Sequence, residues 1–202
     1  MGCPLSAEAP RSWPPGDDEN GGGEDDVVQV SLSAQIREVI KQSWREIQDD
    51  VSRVGVIMFV RLFETHPECK DVFFMFKEVD DPETLRASRE LRAHGLRIMS
   101  FIEKSVARID QDERLDQLIL DLGRKHYVYD APPKYYEFVG AEFIQAMKER
   151  WTSEQEDAWK TLFLYISSTM KRGFKQEQRN QRNQRNQSDV LRRPSVSVSK
   201  QV

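Results

Sequence analysis

Three histidines are the side chains best suited to chemistry in this 202-residue chain, and two of them stand where leucines belong. His94 lies in "RELRAHGLRIMSFIEK", three residues after Leu91 and four before Ile98, so its ring shares the apolar face of a helix. His126 ends the stripe Leu115, Leu118, Leu122 in "DERLDQLILDLGRKH". A polar ring turned inward costs free energy unless something satisfies it. For one such histidine, a backbone carbonyl or a water is the ordinary partner. Two of them on separate helices, 32 positions apart, open a second reading, in which they face one another across a common gap. His66 precedes Pro67 at a helix end and is expected in solvent.

The company these rings keep narrows the chemistry. No carboxylate or thiol shares either stripe, so a zinc site would lack ligands. There is no H-E-x-x-H pair, and neither ring has a Ser or Cys nucleophile beside it. Two neutral imidazoles walled by Phe59, Phe73, Ile98, Leu122 and Val139 suit haem, whose iron takes axial nitrogen ligands and whose macrocycle wants apolar surroundings. No C-x-x-C-H is present, so the group expected is non-covalent haem b. The rival is a haem-free helical interaction module whose histidines are ordinary polar core residues.

The elements that must position these residues are all helical. From Ser31 to Phe174 the apolar spacing follows a 3.6-residue period, with no alternating strand pattern. The first helix carries Ile36, Val39, Ile40, Trp44 and Ile47; the second, "VSRVGVIMFVRLFETHP", must stop near Pro67. "ECKDVFFMF" reads as a short turn, and one long helix is expected after Pro82. "PPKYYEFVGAEFIQAM" enters its helix through a proline pair. The last helix opens with a Ser153-x-x-Glu156 capping box and runs Trp159, Phe163, Ile166, Met170 and Phe174 down one face. Gly55 and Gly95 lie inside helices, where each costs about 1 kcal/mol against alanine. Both predict a close helix crossing.

Charge and composition divide the chain in three. Residues 1–30 hold one Arg against seven acidic residues, a balance of −6, and residues 175–202 hold seven basic against two acidic, a balance of +5. Both ends are expected to be disordered, the first rich in Pro, Gly, Asp and Glu, the second the near-repeat "QRNQRNQRNQ". Residues 31–174 suit one domain. Two cysteines, Cys3 and Cys69, allow neither a disulfide framework nor a thiolate zinc site. The longest mainly apolar run, residues 54–60, falls far short of the roughly 20 residues of a spanning helix. "MGCPLS" matches the acylation pattern M-G-x-x-x-[ST], making Gly2 a myristoylation candidate. One acyl chain holds a protein only marginally, and the acidic segment that follows repels anionic lipid. The second anchor is therefore expected as palmitate on Cys3. In "RRPSVS", Arg192 and Arg193 precede Ser195 as basophilic kinases favour. Beyond this short basic end nothing suggests a nucleic-acid partner.

The run of helices resembles a globin, on Trp44 in "KQSWREI", on Phe59, Pro67 and Phe73 in "GVIMFVRLFETHPECKDVF", on His94 21 residues after Phe73, on His126 in "LGRKHYVY", and on Trp159 and Phe163. Within that family it is most similar to neuroglobin-like sequences and, with its Met-Gly-Cys start and long tails, to the membrane-anchored globin X branch. The resemblance implies an all-α globin fold of about seven to eight helices around a haem pocket. It implies His126 as proximal ligand and His94 as a distal ligand that leaves reversibly, giving a hexacoordinate haem. Arg97 could reach a propionate or snorkel at the surface, and Phe59, Ile98, Tyr136 and Val139 would line the pocket. The expected ligands are O2, CO, NO or nitrite. The expected place is the cytoplasmic face of a membrane, plausibly the plasma membrane, reached through the N-terminal acyl chains. The work expected there is redox chemistry or signalling, such as reduction of nitrite or lipid hydroperoxides with a reductase as partner. Simple oxygen carriage or storage is the alternative.

Overall fold

Ser33 starts the first helix by accepting a hydrogen bond from the amide of Ile36 at 3.3 Å, satisfying one of the amides a helix start leaves free. The computed structural model describes residues 30–192, and Gly2, Cys3 and Ser195 lie outside that range. Helix α1 (Ala34–Ile47) buries Ile40, Trp44 and Ile47 and passes through a 3-10 turn into α2 (Val51–Thr65). As expected, α2 stops before Pro67: His66 leaves the helical region and the chain turns through Pro67–Val72. Helices α3 (Pro82–Ala87), α4 (Arg89–Val106), α5 (Asp112–Val128), α6 (Tyr136–Met147) and α7 (Ser153–Arg192) complete the bundle, and among the described residues there is no strand.

Four local readings of the sequence need correction. The single helix expected after Pro82 is two, α3 (Pro82–Ala87) and α4 (Arg89–Val106). Ser88 is extended and its side chain accepts from the Leu91 amide at 3.2 Å, so it caps a new helix instead of continuing the old one. The capping box of α7 sits one residue earlier than expected. Thr152 Oγ1 accepts from the Gln155 amide at 3.3 Å while Gln155 Oε1 accepts from the Thr152 amide at 2.9 Å. In α5 the fully buried stripe is Leu115, Ile119 and Gly123, whereas Leu118, Leu122 and His126 stay half-buried on an adjacent face. Lastly, α7 does not end at Phe174, where a disordered tail was expected to begin shortly after. It continues 18 residues to Arg192, with side-chain bonds one turn apart, from half-buried Gln181 to Glu177 and from exposed Ser188 to the Gln184 carbonyl.

Trp159, fully buried, is the hub of the core. Its ring meets Trp44, Phe143, Trp151 and Phe163, and its Nε1 donates to Ser43 Oγ at 2.8 Å. Two pairs of helices touch backbone to backbone. A Cβ on Gly55 would lie 3.0 Å from the carbonyl of Gly95, and one on Gly95 would lie 3.0 Å from that of Gly55, so α2 and α4 cross at the two glycines the sequence singled out. Helices α5 and α7 repeat the device with Gly123 against Met170 and Gly173 against Leu120. These two crossings fix the positions of α4 and α5, the helices that carry His94 and His126.

Candidate functional site

His94 on α4 and His126 on α5 lie within electrostatic reach of each other, each packed against aromatic rings of neighbouring elements. On the α4 side, the His94 ring stands edge-on to Phe59 at 4.9 Å and to Phe73 at 5.0 Å. Phe59 is fully buried, and with Phe63, Phe73 and Phe76 it forms a cluster with ring centroids 5.5–6.3 Å apart. Phe73 is carried on the turn after α2, which buried Lys70 closes by donating to the Val79 carbonyl at 2.7 Å and to Asp80 at 3.0 Å. On the α5 side, the His126 ring stands edge-on to Tyr136 at 5.3 Å, and the Tyr136 hydroxyl donates to the Ala131 carbonyl at 3.2 Å. Ile98 lies one turn beyond His94, Leu122 one turn before His126, and Val139 one turn beyond Tyr136, all half-buried against the core.

The two imidazoles are held neutral. Burial drives the His94 ring down from 6.5 to about 4, with further depression from the Arg97 guanidinium and, least of all, from the nearness of His126. That His126 contributes at all places the rings within electrostatic reach of each other. Burial also lowers His126, partly offset by its hydrogen bond to Leu122. Burial pushes the Tyr136 hydroxyl up, so it stays protonated. The hydrogen-bond partners of the two histidines differ. His126 Nδ1 donates to the Leu122 carbonyl at 2.9 Å, one turn back along its own helix, which leaves Nε2 with its lone pair. His94 Nδ1 meets Arg97 Nη2 at 3.1 Å.

This donor set fits a haem. His126 presents an unprotonated Nε2 with its ring orientation fixed by a carbonyl, as a ligating imidazole requires. The half-buried apolar side chains one turn from each histidine offer flat surface for a macrocycle.

Of the nine expected pocket residues, Phe59 and Phe73 pack on His94 and Tyr136 on His126, Arg97 is hydrogen-bonded to His94, and Ile98, Leu122 and Val139 are half-buried against the core. Phe63 and Phe76 belong to the aromatic cluster and were passed over; Phe63, one turn after Phe59, was detectable by spacing. Lys70 left no sequence signal. His66, expected in solvent, is instead half-buried and stacked on Phe138 at 3.8 Å, because the turn after α2 folds back against α6. Cys69 is buried, its thiol pushed up to about 12 by burial, and it takes no part in the cleft.

The globin family profile matches residues 57–170. Cytoglobin-1 of Oryzias latipes is 27% identical over 161 residues, covering 76% of this chain and 91% of the relative. Neuroglobin of Tetraodon nigroviridis is 27% identical over 147 residues, covering 71% and 92%. Among solved structures, a hexacoordinated heme protein from an anhydrobiotic tardigrade superimposes with a TM-score of 0.67 at 21% identity, over 73% of this chain and 97% of that one.

Proposed function

The chain belongs to the globin family, with distant homology to neuroglobins and cytoglobins, and from that premise we propose that it is a bis-histidine haem globin tied to a membrane by its N-terminus. The reading is supported by one observation: two neutral imidazoles on separate helices lie within electrostatic reach of each other, each packed edge-on against aromatic rings. Haem bound there supplies an iron that takes diatomic gases and passes single electrons.

This chain's own residues do the rest. His126 is the permanent ligand through Nε2, and the Leu122 carbonyl holds its tautomer and its ring plane. His94 would be the second, reversible holder of the group, and an internal imidazole in that role would lower the apparent affinity for a gas in proportion to the fraction of open protein. Phe59 and Phe73 pack edge-on against the His94 ring and fix its position. Ile98, Leu122, Tyr136 and Val139 supply the remaining walls.

The finer assignment, to the acylated globin X branch at the cytoplasmic face of the plasma membrane, rests on Gly2, Cys3 and Ser6 in "MGCPLS". A tethered, self-ligated haem suits redox work, such as reduction of nitrite or lipid hydroperoxides fed by a reductase, better than bulk oxygen carriage. Purified protein reconstituted with haem is expected to show a Soret band and, when ferrous and gas-free, six-coordinate low-spin visible bands that His94→Leu abolishes. No Soret band would return the domain to a haem-free interaction module, and a five-coordinate wild type would remove His94 as a ligand. Labelled fatty acid should be incorporated in cells, and Gly2→Ala should release the protein from membranes. Unchanged partitioning would refute the anchor.

A further inference from the structure

The two histidines of the cleft are held in opposite tautomers. Leu122 offers His126 a carbonyl, which can only accept, so the His126 proton sits on Nδ1 and Nε2 is free to ligate. Arg97 offers His94 a guanidinium, which is always charged and can only donate. At 3.1 Å from Arg97 Nη2, His94 Nδ1 must be the acceptor. The single proton of that ring is therefore on Nε2, where it blocks the lone pair a metal needs.

His94 can ligate through Nε2 only after an exchange: Nε2 gives its proton to solvent, and Nδ1 takes one from solvent. The new Nδ1–H would then point at an N–H of Arg97, donor against donor, so Arg97 has to leave. Arg97 is exposed and has a long flexible stem, so it can swing away without disturbing the core. We infer that Arg97 is a latch on the distal side: docked on His94 it keeps that ring off the iron, and undocked it lets His94 ligate. With the latch closed, His94 retains Nε2–H, a hydrogen-bond donor for a guest in the cleft. With it open, the ring becomes the competing ligand.

This latch rests on the haem reading and is separable from it. The tautomer can be read directly in the full chain loaded with zinc protoporphyrin, which takes one axial ligand and so leaves His94 off the metal. In nitrogen-labelled protein, NMR of the His94 ring is expected to show the proton on Nε2 in the wild type and on Nδ1 in a substantial fraction of Arg97→Met. In the iron-haem protein, Arg97→Met should raise the ratio of six-coordinate to open ferrous haem about tenfold, the size expected for a lost charge-assisted hydrogen bond. Carbon monoxide binding should slow by a similar factor, and Arg97→Lys, which keeps one donor, should fall between.

A wild-type proton on Nδ1 overturns the latch. So does an Arg97→Met protein whose coordination ratio is unchanged while haem is lost faster, since that result assigns Arg97 to a propionate instead. Failure to take up either porphyrin refutes the haem reading itself and is seen before any of these comparisons.

Discussion

Replacing Gly123 by alanine tests the close backbone crossing of α5 with α7 and its hold on His126. The residue lies three positions before His126, where α5 crosses α7. A Cβ there would stand 2.9 Å from both the carbonyl carbon and Cα of Met170, and nearer still to the carbonyl oxygen. The obstacle is helical backbone, which cannot rotate aside as a side chain would, so the two helices must separate by roughly 1 Å to reach ordinary contact distance. Alanine in place of glycine returns about 1 kcal/mol of helix propensity. Overpacking costs about 1–3 kcal/mol against movable neighbours and more against fixed ones. The net is a loss of about 2 kcal/mol, or roughly 4–8 °C in melting temperature for a domain of this size. Gly173→Ala pushes on the same crossing through Leu120 and should cost a similar amount. Because either change opens the same gap, the double variant should lose less than the sum. Thermal unfolding followed by circular dichroism measures all three. A Gly123→Ala protein that melts at or above the wild-type temperature would show that α5 and α7 do not pack this closely, and the reasoning would fail.

Ser43→Ala leaves the fully buried Trp159 Nε1 without an acceptor and should lower stability by about 1–3 kcal/mol in urea titration; an unchanged midpoint would mean the indole has another partner. His94 is held near 4 in the folded chain against 6.5 unfolded, so as the pH falls from 6.5 towards 4 the unfolded chain takes up a proton that the folded one does not. Haem-free protein should lose up to about 2 kcal/mol over that window, allowing for partial solvent access, and His94→Leu should flatten the loss; parallel curves would refute the assignment. Truncation after Glu177 keeps the bond between Arg124 and Gln176, and residues 178–188 that it removes are exposed except half-buried Gln181, so the melting temperature should stay within about 2 °C while the helical signal falls; a larger drop would reveal packing by the extension.

The sequence announced the helices and the facing histidines because both rest on side-chain periodicity, which is local. Gly55 and Gly95 were legible for the same reason: a glycine inside a strong helical pattern needs a neighbour to justify it. The finer points were settled by contacts between segments. The α5 stripe ending in His126 was real, but a second face of that helix, Leu115–Ile119–Gly123, was the one wanted by α7. The helical break at Ser88 turned on one hydroxyl choosing the Leu91 amide. His66 was misplaced because its stacking partner, Phe138, is 72 residues away. Arg97 had two readings at the outset and the structure supplies a third, since spacing puts it one turn from His94 but cannot say which ring nitrogen it meets.

Helix α7 also gives the molecule an electrical axis. Its first turn lies beside the start of α1, where Gln35 donates to Glu154 at 3.0 Å, and carries the acidic residues Glu154 and Glu156. Arg179, Arg182 and Arg185 lie toward the other end, the last of them about 45 Å along the helix from Glu154. A body charged this way has a permanent dipole along α7. In the field of a charged surface or partner it turns before it touches, and salt that shortens the field would abolish the turning before it weakened any contact.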